Sequence, residues 1–262
     1  MQELYADGRS VIHQTDARVK LILTLVLIIL FNLTPARAWP AYILFFSVIL
    51  SVALLSRLGL GFMLKRSLLA TPFILAALPL IFTGPQPHLT FPLWNGLQLN
   101  YSPEGLMQFF SIAIKSWISI QAAILLTATT RFPELLTGLQ QLKVPKLFIA
   151  IIGLMWRYLF VISDEVTRML RARASRSATI QGQHARLGII WRAQVTGSMA
   201  GSLFLRSIER SDCVYAAMVS RGYNGAQPTY ESTPLTIKDY SILALGCLVL
   251  TLLWTLGVLT GG

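Results

Sequence analysis

Residues 145–177 read PKLFIAIIGLMWRYLFVISDEVTRMLRARASRS. The first half, LFIAIIGLMWRYLFVI, is as apolar as a membrane span, whereas the second half gathers Asp164, Glu165, Arg168, Arg171, Arg173 and Arg176. No proline follows Pro145, so the stretch predicts one helix of about 30 residues, roughly 45 Å long at 1.5 Å per residue. That is longer than the hydrocarbon core of a bilayer. If the helix crossed, Arg157, Asp164, Glu165 and Arg168 would lie at depth, where charge is costly. The expectation is a helix lying along or beneath the membrane interface. It ends in a short signature, Ser175-Arg176-Ser177, and a second of the same form, Ser220-Arg221-Gly222, ends another long helical stretch 45 residues on.

Around this stretch the chain has the composition of a membrane protein. Of its 262 residues 54% are hydrophobic and only 13% charged, where a soluble domain carries about 25% charged residues. Five stretches are apolar over about the length a bilayer needs: roughly 18–34, 39–56, 67–83, 107–129 and 240–259. The third holds Pro72 and Pro79, so a kinked or broken helix is expected there. Lys and Arg alternate between the connections. Arg9, Arg18 and Lys20 precede the first span, Arg37 alone follows it, Arg57, Lys65 and Arg66 follow the second, residues 84–106 have none, and 131–238 hold 14. Basic excess marks the cytoplasmic side. The N-terminus, the second connection and the large segment are therefore cytoplasmic, and five spans leave the C-terminus outside. The net charge of +11 reads first as topology, and no nucleic-acid partner is expected. Three acidic residues and no apolar run before position 21 argue against a cleaved signal peptide.

The fold class is thus an all-α integral membrane protein of about five transmembrane helices. A cytoplasmic region of long amphipathic helices lies between the fourth and fifth. The division is 1–130 for a four-span bundle, 131–238 for the helical region and 239–262 for the last span. In the outer connection, Asn95-Gly96 between apolar residues is a hairpin signal. Ser102 followed by Pro103 marks a helix start. Pro133 to Leu142 reads as a short amphipathic helix, and a long one runs over about 186–221. The latter carries Gly197 and Gly201, a small-xxx-small pattern that permits close helix crossing, so the two long helices are expected to cross there. Gly222 supplies a left-handed C-cap, and Asn224-Gly225 and Pro228 end the helix.

No motif of a hydrolase, metalloprotease or nucleotide-binding loop is present in the sequence. His13, His88 and His184 are scattered, Cys213 and Cys247 have no ligand spacing, and no metal or catalytic site is expected. Lys115 is the one charge deep in an apolar span. It reads either as a functional charge, with a partner subunit supplying its counter-charge, or as a lysine that snorkels or bonds backbone carbonyls. The basic cluster Arg168, Arg171, Arg173 and Arg176 reads either as a solvated face drawn to anionic membrane lipid or as a docking site. Arg221 repeats Arg176 at a second helix end, and small neighbours leave both guanidinium groups able to pair bidentately with carboxylates.

At these residues the chain resembles the transmembrane T component of energy-coupling factor transporters, ATP-driven importers of vitamins and transition metal ions, and more narrowly the cobalt-type CbiQ-like members. The resemblance runs from His13-Gln14-Thr15-Asp16-Ala17-Arg18-Val19-Lys20 through Thr129-Thr130, Pro133, Leu135, Leu142, Val144-Pro145, Arg157-Tyr158 and Glu165 to both arginine signatures. It is most specific over Glu209 to Gly225. Ala17 stands where the family usually has Pro, and each signature begins with Ser where Ala is common. The resemblance implies a non-catalytic, multi-pass subunit of a bacterial inner membrane. Ser175, Arg176, Ser177 and Ser220, Arg221, Gly222 would dock on two cytoplasmic ATPase subunits, which bind ATP and magnesium. A separate integral membrane subunit, with or without a small accessory one, would carry the metal ion. Cobalt, rather than nickel or a vitamin, rests on the resemblance alone. The reading of another class is an electrostatic scaffold on the lipid surface with no ATPase.

Overall fold

The structure, a computed structural model, describes residues 10–56, 59–68, 71–83, 89–92, 98–176, 189–223 and 235–261. These residues are helical apart from one two-stranded hairpin. The elements are α1 (Val11–Gln14), α2 (Ala17–Leu33), α3 (Trp39–Leu55), α4 (Leu60–Ser67), α5 (Thr71–Ala76), α6 (Leu80–Thr83), β1 (Leu89–Pro92), β2 (Gln98–Tyr101), α7 (Pro103–Thr129), α8 (Phe132–Gln141), α9 (Lys146–Arg176), α10 (Ile189–Ser220) and α11 (Ile237–Gly261). They form two compact units. Lys143–Glu231 is one, and Gln2–Leu142 with Ser232–Gly262 is the other.

The second unit is a bundle in which α2 and α7 pack together, α11 lies on α2 and α3, and α8 lies on α2. Its helices end where the sequence supplies ends. Asp16 caps α2 by accepting from the Arg18 N–H at 2.9 Å, and Pro35 follows its last turn. Ser102 caps α7 by accepting from the Gly105 N–H at 3.3 Å, with Pro103 in the first turn. The third apolar stretch is broken as its prolines foretold, with Pro79 between α5 and α6. The strands pair antiparallel from Leu89 opposite Tyr101 to Pro92 opposite Gln98; the Asn95-Gly96 turn itself lies outside the described residues. Phe31 and Phe45, both 0% exposed, anchor the core at 5.0 Å between ring centroids. Tyr42 donates its hydroxyl proton to the Pro35 carbonyl at 3.0 Å, so the Ser111 hydroxyl, 2.8 Å away, donates to Tyr42.

Two pairs of elements decide how tightly the bundle closes. A side chain at Gly257 would meet Ala41 Cβ at 2.9 Å, and one at Gly261 would meet Ala38 Cβ at 2.9 Å. The pair spaced as Gly-xxx-Gly therefore brings the α11 backbone onto the start of α3. Gly138 of α8 does the same, less tightly, against Ala17 and Arg18. Ten residues assigned by sequence to the helical region thus pack on the bundle as α8.

Large apolar side chains stand open on the outer faces, among them Ile43 and Leu245 at 69% and 68% exposure. Helices apolar on all sides suit lipid rather than water. Among the described residues, three helices, α7, α9 and α11, are long and apolar enough to cross a membrane by length and composition. α9 joins them because its charges crowd its second half, leaving the first half apolar; the sequence had left it out of the count.

Candidate functional site

The unit Lys143–Glu231 is built on α9 and α10. Leu154, Tyr158, Ile162, Glu165, Met169, Ala172 and Arg176 recur at steps of three and four, so they lie on one face of α9. A cavity of about 450 Å³ lies between the first half of α9 and the second half of α10, with Leu154, Tyr158, Leu203, Val214 and Met218 in its lining. A second, of about 730 Å³, lies between the second half of α9 and the first half of α10, lined by Arg168, Met169, Arg173, Arg176, Trp191 and Val195 among others. Glu165 and Arg206 border both cavities. The helices therefore run antiparallel and cross at that pair.

The crossing is held by charge. Glu165 Oε1 accepts from Arg206 Nη1 at 2.6 Å, and Glu165 Oε2 lies 3.4 Å from Arg168 Nη2. Further along, the Arg173 guanidinium donates to Thr196 Oγ1 at 3.4 Å and lies 5.9 Å from the centre of the Trp191 ring. Gly197 and Gly201 do not make the crossing. Nothing among the described residues lies within 4 Å of where a side chain on either would begin, and both are exposed. The cause is helical phase: Met199 faces α9, and a residue two positions away points about 200° round the helix.

The two arginine signatures share a local geometry. Ser175 Oγ donates to the Ala172 carbonyl at 2.9 Å, and Ser220 Oγ to the Ala217 carbonyl at 3.0 Å. Each serine folds onto its own helix and leaves the arginine as the outward donor. Arg176, the last described residue of α9, and Arg221, which follows the last turn of α10, are both exposed; at Arg221 the negative end of the helix dipole favours a cation. After Arg221 the chain turns through Gly222 at φ 84°. The Tyr223 N–H bonds the Met218 carbonyl at 3.0 Å and the Gly222 N–H bonds that of Val219 at 2.9 Å, a Schellman end. A residue with a Cβ would be strained at that φ. Ser177 lies outside the described residues.

Lys115 sits in the other unit, where its Nζ donates to the Thr34 carbonyl at 2.6 Å and the Asn32 carbonyl at 3.0 Å. These are end carbonyls of α2 that have no partner within their helix. Lys20, which the sequence marked only for topology, does the converse. Its Nζ donates to the Thr129 carbonyl at the end of α7 at 3.1 Å. Each of the two helices thus carries a lysine that caps the other's C-terminus. A cation buried in an apolar helix is a signal for such a partner, but the partner itself lies far off in sequence. Glu165 was legible in the same limited way, as an acid on an otherwise apolar helical stripe. Among the described residues, no group of three or more His, Cys, Asp or Glu side chains is placed to hold a metal ion.

Residues 8–231 match the family model CbiQ, described as cobalt transport protein. An uncharacterized protein of Methanocaldococcus jannaschii is 26% identical over 254 residues, covering 96% of this chain and 84% of that protein. The energy-coupling factor transporter transmembrane protein EcfT of Ruminiclostridium cellulolyticum is 26% identical over 260 residues, covering 96% and 94%. The EcfT of Streptococcus thermophilus is 28% identical over 260 residues, covering 94% and 95%.

Proposed function

The chain belongs to the CbiQ family of cobalt transport proteins, and from that membership we propose that it is the coupling subunit of an ATP-driven importer of cobalt ions. It catalyses nothing itself. Two cytoplasmic ATPase subunits, which bind ATP and magnesium, dock on Arg176 and Arg221. A separate membrane subunit, with or without a small accessory one, holds the ion. In this reading α2, α3, the broken α5–α6 segment, α7 and α11 are the five spans of a bacterial inner-membrane protein, the N-terminus is cytoplasmic, and α9 and α10 lie on the cytoplasmic side.

The observation that carries the reading is the matched geometry of the two signatures. Each presents one exposed guanidinium beside a serine turned inward onto its own helix. A guanidinium offers a planar fork that fits a carboxylate through two parallel hydrogen bonds. Two such forks, one on each arm of a crossed pair, suit two copies of one acidic groove. When ATP draws the ATPase subunits together, the grooves move the arms, and the arms move the subunit that holds the ion.

Co-purification tests this. With Arg176→Glu or Arg221→Glu, capture of the ATPase subunits and cobalt uptake are lost while the protein stays in the membrane. If ATPase capture is intact and only binding to anionic vesicles falls, in proportion to net charge, the chain is a lipid-surface scaffold instead. Competition of uptake by nickel or a vitamin decides the substrate.

A further inference from the structure

We propose that Glu165 is a positioning residue that, through Arg206 and Arg168, holds α9 and α10 at their crossing and makes them move as one lever. The consequence for transport rests on the coupling role proposed above. The hold itself rests on geometry alone.

Three observations meet at this carboxylate. First, its side chain is only 15% exposed, and it stands on the α9 stripe between Ile162 and Met169. A carboxylate so placed is tolerated when its oxygens are paired. Both are: Oε1 by Arg206 at 2.6 Å, Oε2 by Arg168 at 3.4 Å. Second, the bond to Arg206 joins two helices, whereas Arg168 is one turn along the same helix and holds the carboxylate in place. Third, cavities open on both sides of the pair. Beyond the pair, the long 3.4 Å contact of Arg173 with Thr196 and its place over Trp191 are exposed contacts rather than continuous side-chain packing. A charged contact with open space on each side is a pivot. From it, α9 extends about 16 Å to Arg176 and α10 about 22 Å to Arg221, at 1.5 Å per residue. Small changes of angle at Glu165 become large displacements at the two arginines.

The experiment uses the assembled transporter in vesicles with three variants: Glu165→Gln, Arg206→Gln and the reversed pair Glu165→Arg with Arg206→Glu. Arg206 is more than half exposed, and Arg168 still faces the Glu165 carboxylate when it is lost, so the protein folds. We expect ATPase capture to change by less than about twofold in both single variants, while ions imported per ATP hydrolysed fall about tenfold. The reversed pair recovers most of that loss. In parallel, spin labels at Arg171→Cys and Leu205→Cys, with Cys213 and Cys247 replaced by Ser, report the spread of distances between the helices. It broadens in both single variants and narrows again in the reversed pair. Unchanged coupling, an unchanged distance spread, or a reversed pair as defective as the single variants would each overturn the proposal. If Arg176→Glu and Arg221→Glu leave the ATPase bound, the coupling role fails instead, and the label distances still judge the pivot.

Discussion

The bundle and the α9–α10 pair use the same few side-chain types for opposite ends. In the bundle, Lys20 and Lys115 turn their charges onto the end carbonyls of α7 and α2. In the crossed pair, Arg176 and Arg221 stand exposed at helix ends, and the serines beside them bond inward. The small residues divide the same way. Gly257 and Gly261 admit the neighbouring backbone, whereas Gly197 and Gly201 meet nothing among the described residues. One region is therefore closed on itself by these polar and small groups, and the other turns Arg176, Arg221, Gly197 and Gly201 outward. The coupling role proposed above needs both.

The two regions would cease to differ in role if the exposed arginines proved dispensable. Reversing Arg176 or Arg221 to Glu sets like charges against the proposed acidic groove and should remove about 2 kcal/mol or more of docking energy, roughly thirtyfold in affinity. Titration of purified ATPase onto the detergent-solubilised protein reads this, and the melting temperature of the bundle stays put. Next in size is a paired test of the glycines. Gly257→Leu forces a side chain into Ala41 and Thr34 and costs roughly 1–3 kcal/mol. Gly201→Leu meets open space and is neutral or slightly stabilising, since Leu favours helix over Gly. Thermal denaturation of the two variants should separate them, and an equal loss in both would erase the distinction between the regions.

Lys115→Met sharpens the contrast further. It leaves the Asn32 and Thr34 carbonyls without this donor, a cost of about 1–3 kcal/mol. The melting temperature falls while uptake per folded molecule is unchanged. A fall in uptake at normal stability would mean that Lys115 serves a partner rather than α2. The smallest effect belongs to Ser175→Ala and Ser220→Ala. Each loses one hydrogen bond on an exposed helix, within about 0.5 kcal/mol, and ATPase affinity should move no more than about twofold.

What could be read in advance was whatever neighbours in the chain decide. Ser102 with Pro103 started α7, Gly222 ended α10, and Pro79 broke the third apolar stretch. Ser220-Arg221-Gly222 closes α10, as its glycine implied, whereas the first signature passes out of the described residues at Ser177. What could not be read depends on segments that meet only after folding. Lys115 finds carbonyls 81 and 83 residues away, Lys20 one 109 residues away, and Glu165 a guanidinium 41 residues away. The misplaced crossing shows the same limit. Two glycines four apart permit close approach, but only the phase of the helix decides whether they face anything. The sequence offered the pattern at 197 and 201 and also at 257 and 261, and only the second pair is used.

The seat of α11 on α2 and α3 also bears on the order of synthesis. The chain leaves the bundle after Leu142 and returns at Ser232, so α11 leaves the ribosome only after α9 and α10. Thr34, Ala38 and Ala41 wait without their glycine partners until then. Domains fold in the order they are made, but this bundle straddles the segment made between its parts. A closed seam at Gly257 and Gly261 therefore certifies that the crossed helices have already been translated. A cell that degrades bundles with an open seam would remove chains stalled before the coupling arms exist.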